Sequence, residues 1–307
     1  MKGPRIIFFI LPKTHLLDLA GPDQVFLEAM DHETGITMEY CSWKSPVITS
    51  SGLEFSNTKD FRDVIAGRGD YIIIPGADMK MLTGKTIPGE KEVGRWLKEA
   101  HAAGSFICSI CTGAFFLART GLLDGIRCTT HWKYTHSLKE LYPAAKVQQD
   151  ILFTEDNRVL TSAGVTAGID LALHIVEKTR DANTAFKVAR ELVIYRRRNG
   201  NESQQSVFMK YRNHIHSGVH KVQDHIQENL AGKINLLDLS DIACMSLRSL
   251  SRIFKKETGI TVHEYITIIR RDLLESIKAN PEISRRQMAE LCGLKSERQV
   301  ARLLKQA

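Results

Sequence analysis

Cys111 has the sequence context most typical of a reactive residue in this 307-residue chain. It follows an apolar segment, Phe106–Ile110, and precedes a segment with helical character, Thr112–Thr120. Small residues, Ser109 and Gly113, stand two positions before and after it, as a sharp strand-to-helix turn that presents a nucleophile requires. A cysteine at a helix N-terminus faces free N–H groups and the positive end of the helix dipole. The sequence therefore predicts that the thiolate form of Cys111 is favoured.

Two groups of residues are candidate partners for Cys111. His131 ends the next predicted strand, and the ends of neighbouring strands converge in a parallel sheet, so Cys111 and His131 form a candidate catalytic dyad. Backbone N–H groups of Thr112 and around Gly76 and Ala77 are candidates for an anion pocket. The sequence therefore predicts a polar pocket around the end of one strand.

Other residues of this part of the chain leave alternatives open. Trp43 and Trp132 could wall an aromatic cage for a cationic ligand, or could pack in the core. Asp170 could support the pocket from the start of a helix, or could only make local hydrogen bonds. Cys108 and Cys111 form a C-x-x-C pair, but an extended strand turns Cys108 towards the core, and the second pair that a zinc site needs is missing. We therefore expect no metal ion and no cofactor.

Short apolar strands alternate with amphipathic helices over the first 195 residues. Continuous apolar strands such as Tyr71-Ile-Ile-Ile, separated by helices, are typical of an α/β fold with a parallel sheet covered on both faces. Pro22, which follows Gly21, suits the first turn of a helix. The predicted strands are Arg5–Leu11, Thr37–Trp43, Tyr71–Pro75, Phe106–Ile110 and Arg127–His131. The predicted helices are about Pro22–Asp31, Glu90–Ala103, Thr112–Thr120, Ala167–Lys178 and Ala182–Arg198.

These segments resemble the ThiJ/PfpI superfamily, whose flavodoxin-like fold is related to class I glutamine amidotransferases. The similar segments cover nearly all of residues 4–200 and include Leu16-Leu-Asp-Leu-Ala-Gly-Pro, Ile74-Pro-Gly-Ala, Cys111-Thr-Gly-Ala-Phe, Thr130-His-Trp and Ala163-Gly-Val-Thr-Ala-Gly-Ile-Asp-Leu. Isocyanide hydratases of this superfamily are similar at Asp18, Cys111 and Thr112, which form their catalytic pocket. With these positions, the candidate ligand-binding residues become Asp18, Gly76, Ala77, Cys111, Thr112, His131 and Trp132.

The C-terminal region carries two copies of one pattern, a short polar helix, a tight turn and a basic amphipathic helix. The copies span Asp238–Gly259 and Ser284–Ala307, and a long helix around Val262–Ala279 joins them. Each basic helix has a serine as its predicted N-cap and an apolar face: Ser246 with Leu247, Leu250, Ile253 and Phe254, and Ser296 with Val300, Leu303 and Leu304. The outer faces carry side chains that can donate to guanine edges or phosphates: Arg248, Ser249, Ser251, Arg252 and Lys255, then Arg298, Gln299 and Arg302.

This region resembles the AraC/XylS family of bacterial transcription regulators over about residues 218–304. The similar segments are Leu250-Ser-Arg-Ile-Phe-Lys-Lys-Glu-Thr-Gly-Ile-Thr-Val-His-Glu-Tyr and Ala289-Glu-Leu-Cys-Gly-Leu. The resemblance implies helix-turn-helix units on double-stranded DNA, with bases faced by Arg248, Ser251 and Arg252 in the first copy and by Arg298, Gln299 and Arg302 in the second. The segment with which the family continues is absent after Ala307. We therefore expect the second recognition helix to be weakly anchored and to contact mainly phosphates.

The net charge of +7 is unevenly spread. Residues 1–195 hold 22 basic against 23 acidic residues, residues 196–217 hold 5 against 1, and residues 218–307 hold 15 against 11. The basic excess therefore lies where a polyanion would bind. We expect a sensing domain at residues 1–200, a linker at residues 201–217 and a DNA-binding domain at residues 218–307. Scattered cysteines in apolar segments and the lack of a membrane-spanning apolar run predict a cytoplasmic protein with no membrane contact.

Two functions fit these features. In the first, the pocket around Asp18, Cys111 and His131 binds a small metabolite and changes how the DNA-binding domains are presented. Similarity to regulators that recognise amino-acid-derived or quaternary ammonium compounds favours this function. In the second, the pocket performs hydrolysis or hydration, with Cys111 as nucleophile and Asp18 or His131 as base. We also expect a homodimer, because two reading modules on one promoter multiply affinity through effective concentration.

Overall fold

The computed structural model describes residues 3–194, 197–278 and 283–305. It divides the chain into two compact units, Met1–Gln204 and Gln205–Ala307. The division falls inside residues 201–217, which the sequence predicts as a linker. Among the described helices, none combines the length and the apolar character that spanning a membrane requires.

The first unit is built on a seven-stranded sheet with the order β10-β11-β7-β6-β1-β2-β5. All of its neighbouring strands are parallel except the β10–β11 pair, which is antiparallel. Two small two-stranded sheets, β3–β4 and β8–β9, accompany it. The strands are β1 Arg5–Phe9, β2 Thr37–Ser42, β3 Val47–Ile48, β4 Glu54–Phe55, β5 Lys59–Asp60, β6 Tyr71–Ile74, β7 Phe106–Ile110, β8 Arg127–Cys128, β9 Lys146–Val147, β10 Phe153–Asp156 and β11 Val159–Ser162.

Helices cover both faces of this sheet, so the predicted α/β fold is confirmed. They are α1 Leu16–Met30, α2 Met79–Leu82, α3 Glu90–Ala102, α4 Gly113–Arg119, α5 Thr135–Leu141, α6 Thr166–Thr179 and α7 Ala182–Glu191. One core contains Ile7 and Phe9 with side chains of α3 and α4, and the other contains Ile6 and Phe8 with side chains of α1, α6 and α7. Successive side chains of β1 point to opposite cores, so the strand needs apolar residues at all of these positions.

Two predicted helix boundaries are wrong. Helix α1 begins at Leu16, so Pro22 lies inside the helix and not in its first turn. The start at Leu16 places Asp18 in the first turn of the helix, four residues before the predicted start at Pro22. Helix α7 ends at Glu191, well before the predicted end at Arg198, and Tyr195 and Arg196 lie outside the described residues.

The predicted strand Arg127–His131 is also wrong in length and in place. Only Arg127–Cys128 is a strand, and it pairs with β9 in a separate sheet. The neighbours of β7 are β6 and β11, and the sequence did not predict β11. His131 is therefore not placed by the convergence of adjacent strands of the main sheet.

The second unit is all-helical in the described residues. Its helices are α8 Val207–Lys210, α9 Ser217–Glu228, α10 Leu236–Ile242, α11 Leu247–Thr258, α12 Val262–Ile277, α13 Arg285–Leu291 and α14 Glu297–Lys305. One core includes Phe254 and Tyr265, and a second core includes Leu274 and Val300. Helix α12 contributes to both cores and so joins the two copies, as predicted, although Ala279 lies outside the described residues.

Residues 205–216 fold with the second unit. Val207, Phe208 and Tyr211 pack against its first core. The guanidinium of Arg212 forms an ion pair of 2.5 Å with Asp224 on α9 and lies over the Phe208 ring. This end of the predicted linker is therefore packed structure.

Candidate functional site

Cys111 lies in the turn between β7 and α4. It has a φ of 56°, which is uncommon for a residue with a side chain and suits a sharp turn from strand to helix. Its N–H donates to the carbonyl of Ser162 at 3.0 Å, and its carbonyl accepts from the Thr130 hydroxyl at 2.8 Å. The turn is therefore fixed on both sides, and the side chain is buried.

Two glycines allow the chain to pass close to Cys111. A Cβ atom on Gly164, which has a φ of 87°, would lie 2.1 Å from the Cβ of Cys111. A Cβ atom on Gly76 would lie 2.4 Å from Asp18 Oδ2 and 2.9 Å from Thr112 Oγ1. Backbone that only glycine can provide therefore lies against Cys111 and Asp18 on two sides.

Asp18 lies against this turn from helix α1. Its Oδ1 accepts a hydrogen bond of 2.6 Å from the N–H of Val165, and its side chain is only 1% exposed. Val165 is β-branched and has a φ of 52°, a strained conformation. The other oxygen, Oδ2, is buried and accepts no hydrogen bond of normal geometry among the described residues, although His15 Nδ1 lies 3.4 Å from it. A buried acceptor that is so weakly satisfied can take a hydrogen bond from a ligand.

His15 is a site residue that the sequence did not predict. Its Nδ1 lies 3.4 Å from Asp18 Oδ2, and this hydrogen bond with Asp18 is the main reason that the pKa of His15 is raised. The nearest ligand atoms of His15, Asp18 and Cys111 all lie within 4.8 Å of one another. Thiolate, imidazole and carboxylate are the ligands that Zn²⁺ uses, so these residues could also hold a metal ion. The His15-Leu-Leu-Asp18 spacing, one helical turn, was the signal available in the sequence.

The predicted thiolate at Cys111 is wrong for this structure. Burial, followed by the negative charge of Asp18, raises the pKa of Cys111 well above its usual range. Hydrogen bonding from Thr112 acts in the opposite direction but does not prevail. The thiol is therefore the stable form at neutral pH unless a ligand removes the effect of the Asp18 charge.

The Thr112 hydroxyl and the backbone of Ala77 satisfy each other's hydrogen-bonding groups. The Thr112 hydroxyl donates to the Ala77 carbonyl at 2.8 Å and accepts from the Ala77 N–H at 2.9 Å. The Ala77 N–H, predicted as part of an anion pocket, is consequently occupied. The carbonyl of Gly76 accepts from the N–H of His15 at 2.7 Å, which ties the start of α1 to the same loop.

His131 begins a single turn of 3-10 helix, Trp132–Tyr134. Its Nδ1 accepts from the Lys133 N–H at 3.3 Å, so its own turn orients the ring. Burial lowers its pKa, and the Asp18 charge partly opposes this effect. His131 therefore lies in the electrostatic field of the pocket, whereas Asp18 and His15 are the side chains grouped with the thiol.

The remaining candidates have structural roles. Trp43 packs on Phe9 with ring centroids 5.5 Å apart, whereas Trp132 is half exposed beside His131, so the two tryptophans belong to different groups. Asp170 is buried and accepts from the guanidinium of Arg198. Burial raises the pKa of Cys108, which points away from solvent in β7.

The first recognition helix of the second unit is α11. Ser246 caps it by accepting from the Ser249 N–H at 3.2 Å, as predicted. Arg248, Arg252 and Lys255 are exposed and lie on one face, since they are spaced by four and three residues. Leu247 was expected in the apolar face but is 41% exposed at the start of the helix.

The remaining polar candidates of α11 make local bonds. Ser249 accepts from the Ser246 hydroxyl at 2.9 Å, and the Ser251 hydroxyl donates to the Leu247 carbonyl at 2.9 Å. Cys244, in the turn before α11, is exposed, in contrast to the other cysteines of the chain.

The matching helix of the second copy is α14, which begins directly after Ser296. Arg298 and Arg302 are exposed on it, one helical turn apart. Gln299 is half buried, and its Oε1 accepts from the Lys295 N–H at 2.7 Å. In the part of the chain that the structure describes, no ion pair involves Arg248, Arg252, Arg298 or Arg302.

The family model of the DJ-1/PfpI family matches residues 4–178. The chain belongs to the DJ-1/PfpI family. A second model, of bacterial regulatory helix-turn-helix proteins of the AraC family, matches residues 226–267, which include the first recognition helix. The DJ-1/PfpI domain is therefore followed by an AraC-type helix-turn-helix domain, as the sequence predicted.

Curated relatives of this DJ-1/PfpI family member include an enzyme and transcription regulators. An isonitrile hydratase of Pseudomonas putida is 32% identical over 190 residues, which is 61% of this chain and 77% of the relative. The HTH-type transcriptional regulator CdhR of Pseudomonas aeruginosa is 25% identical over 251 residues, which is 82% of this chain and 72% of the relative. The alignment with the enzyme is short enough to fit one unit, whereas that with the regulator is longer than either unit.

Solved structures support the fold of the DJ-1/PfpI unit. A crystal structure of an AraC family transcriptional regulator from Pseudomonas putida has a TM-score of 0.53 and 22% identity, and the match covers 62% of this chain and 99% of that one. A ThiJ/PfpI family protein from Pseudomonas syringae has a TM-score of 0.56 and 22% identity, covering 79% of this chain and 90% of that one.

Proposed function

We propose that this DJ-1/PfpI family protein is a DNA-binding transcription regulator whose first unit binds a small metabolite. The observation that carries the proposal is the pair of basic helices, α11 and α14, in two copies of one helix-turn-helix arrangement. Both present arginines one helical turn apart, and these side chains are exposed and outside any ion pair of the described residues. Unpaired arginines on an exposed helix can contact base edges and phosphates.

The DNA-binding proposal is tested by selecting genomic fragments with the purified full-length protein and mapping the protected bases. We expect protection of neighbouring major-groove segments and affinity that falls steeply with salt, because arginine–phosphate contacts release counterions. Uniform binding to all fragments, with no protected site, would contradict sequence-specific regulation.

The chemistry of the Cys111 pocket favours an effector that donates a hydrogen bond. Asp18 Oδ2 is a buried acceptor that receives no hydrogen bond of normal geometry, and His15, whose Nδ1 lies 3.4 Å from it, is half exposed. An amine or amide N–H of an amino-acid-derived effector would satisfy this oxygen, whereas a quaternary ammonium group has no N–H to offer. Of the two effector classes implied by the sequence, we therefore favour the first.

A thermal-shift comparison distinguishes the two effector classes. Amino acids and amines would be tested beside their N-trimethylated forms, with Asp18→Asn as the variant. Stabilisation by the N–H form alone, reduced in Asp18→Asn, is the expected result. Stabilisation by the trimethylated form alone would show that the effector does not use Asp18 as an acceptor.

We also propose that the protein is a homodimer. Leu17 and Leu27 on α1, and Ile48 and Leu53 of the β3–β4 hairpin, are exposed apolar side chains on the first unit. A second copy would remove them from water and would place two DNA-binding units on one promoter. Sedimentation of a monomer alone at micromolar concentration would count against this proposal.

An enzyme is the second candidate function, favoured by the combination of Asp18, Cys111 and Thr112 that the isonitrile hydratase resemblance implies. The raised pKa of Cys111 means that a base must remove its proton during attack, and Asp18, whose Oδ2 accepts no hydrogen bond of normal geometry, is the candidate. Turnover of isocyanides, amides or dicarbonyls that is lost in Cys111→Ser would establish this activity. Binding without turnover would leave the pocket as a sensor.

A further inference from the structure

Residues 197–204, here called the strap, are the last segment of the first unit. They contact residues on both sides of the Cys111 turn. At one end, the Arg198 guanidinium donates to Asp170 Oδ2 at 2.6 Å and to the Thr166 hydroxyl at 2.9 Å. The backbone N–H of Arg198 adds a bond of 3.1 Å to Asp170 Oδ1. Thr166 is the first residue of α6 and directly follows Val165, whose N–H is held by Asp18.

The other end of the strap contacts the opposite side of the pocket. Gln204 Nε2 donates to the carbonyls of Thr130 and Ile151, each at 3.0 Å. The hydroxyl of Thr130 in turn donates to the Cys111 carbonyl at 2.8 Å. One residue, Thr130, therefore joins the turn that carries the thiol to the last residue of the first unit.

The middle of the strap is packed against β10 and the residue before it. The carbonyl of Gly200 accepts from the N–H of Leu152 at 2.8 Å, and a Cβ atom on Gly200 would lie 2.7 Å from the carbonyl oxygen of Phe153. Ser203 donates to Asp150 Oδ1 at 2.7 Å. The strap thus has a defined path along the unit, with contacts at both ends and in the middle.

Two features leave this arrangement incompletely stabilised. Val165 is a strained β-branched residue whose turn is held by the Asp18 carboxylate. Gln204 is only half satisfied, since its Oε1 is buried with no hydrogen-bond partner among the described residues. A ligand that draws the Asp18 carboxylate towards itself would weaken the hydrogen bond from Val165 to Oδ1. At the other end, Gln204 is held through its Nε2 and its backbone N–H but not through its Oε1.

We propose that the strap couples occupancy of the Cys111 pocket to the DNA-binding unit, with Arg198 and Gln204 as its positioning residues. The inference rests on the proposed function, because Gln204 is followed directly by Gln205, the first residue of the second unit. A ligand at Asp18 shifts the Val165 turn and the start of α6, and Arg198 transmits this shift to the strap. A ligand against the Cys111 turn acts on Gln204 through Thr130.

Coupling between two sites is reciprocal, so the strap can be tested without knowing the effector. If the pocket controls the strap, loosening the strap must change the pocket. The probe is iodoacetamide, and the readout is the alkylation rate of Cys111 by peptide mass spectrometry in full-length Cys244→Ser protein, which lacks the exposed thiol. Arg198→Ala and Gln204→Ala are the test variants. Arg197→Ala is the matched control, because Arg197 lies in the same strap but pairs with Glu177 at 2.6 Å, away from Thr166.

We expect Arg198→Ala and Gln204→Ala each to raise the alkylation rate by about fivefold or more, and Arg197→Ala to leave it unchanged. The carboxamidomethylated protein should also show faster hydrogen exchange in the strap than the unmodified protein. Melting curves by tryptophan fluorescence identify any variant that does not fold. If Arg198→Ala does not fold, the test rests on Gln204→Ala, which removes no charge.

Equal rates in wild type, Arg198→Ala and Gln204→Ala would overturn the coupling, as would an equal increase in Arg197→Ala. These readouts use neither DNA nor an effector. If the strap variants raise the alkylation rate of Cys111 but the protein does not bind DNA, the proposed function is refuted and the link between strap and pocket stands. If the protein binds DNA but the strap variants leave the alkylation rate unchanged, only the role of the strap is refuted.

Discussion

The carboxylate of Asp18 accepts a 2.6 Å hydrogen bond from the backbone N–H of Val165, which lies 147 positions further along the chain. This one contact joins the first turn of α1 to the strained turn before α6 and closes the pocket over Cys111. The other carboxylate oxygen, Oδ2, is buried and accepts no hydrogen bond of normal geometry among the described residues, with His15 Nδ1 3.4 Å away. A ligand that donates a hydrogen bond would satisfy this oxygen.

Asp18→Asn should lower the pKa of Cys111. The Asp18 charge is the largest cause after burial of the raised pKa of this thiol, and the amide removes the charge while keeping an oxygen for Val165. The measurement is the pH dependence of Cys111 alkylation in the Cys244→Ser background. Asp23→Asn, one turn further along α1 and bonded to Tyr40, is the control. An unchanged pH profile in Asp18→Asn would mean that burial alone sets the reactivity of Cys111.

His15→Gln should destabilise the first unit only on the acidic side. The hydrogen bond to Asp18 raises the pKa of His15 above its ordinary value of 6.5, so the folded state binds the proton more tightly than the unfolded state. The stabilisation is fully present below pH 6.5 and is lost as the pH rises through the pKa of the folded state. Melting temperatures of wild type and variant should therefore differ below pH 6.5 and converge above the raised pKa.

The partner residue provides the control for this pH dependence. In an Asp18→Asn background, His15 has lost the carboxylate, so the loss of stability that His15→Gln causes on the acidic side should largely disappear, because only burial and the Asp78 charge still act on the pKa of His15. An acidic-side loss that persists undiminished there would assign the effect to another charge.

Gly164→Ala should destabilise the first unit far more than Gly52→Ala. Both glycines have positive φ, but a Cβ on Gly164 would lie 2.1 Å from that of Cys111, whereas nothing lies within 4 Å of one on Gly52. The expected losses are about 3 kcal/mol or more for Gly164→Ala and about 1 kcal/mol for Gly52→Ala. Urea unfolding followed by tryptophan fluorescence measures them, because Trp43, Trp96 and Trp132 all lie in the first unit. Similar losses of stability at the two positions would mean that the backbone around Cys111 can move to accommodate a Cβ atom at residue 164.

Local sequence signals predicted much of the site. The apolar segment before Cys111 and the small residues around it sufficed to place the strand-to-helix turn, because that geometry depends on adjacent residues. The serine cap and apolar face of α11 were equally local, and the structure has both.

The errors came from pairings that no short segment encodes. His131 was placed beside Cys111 on the assumption that its strand neighbours β7, but β11, only four residues long, takes that place. His15 was missed because Pro22 was taken as the start of a helix that begins six residues earlier. Arg198 was counted with the basic excess of residues 196–217 that a polyanion would bind, whereas the buried Asp170 binds it into the first unit. The charge of this stretch is therefore not all available to DNA.

The central claim, that α11 reads DNA, is tested most directly by fluorescence anisotropy on the selected fragment. Arg252→Ala should lose about 1–3 kcal/mol of binding free energy and discriminate less at one base position, as expected for a base contact. Arg302→Ala should weaken binding on all sequences and reduce the salt dependence, as expected for a phosphate contact.

Arg95→Ala, an exposed arginine on α3 of the first unit, is the matched control for both variants. The account predicts that wild type and Arg95→Ala bind the selected fragment equally, with Arg252→Ala clearly weaker and less selective. Binding by Arg252→Ala that equals binding by Arg95→Ala would contradict it.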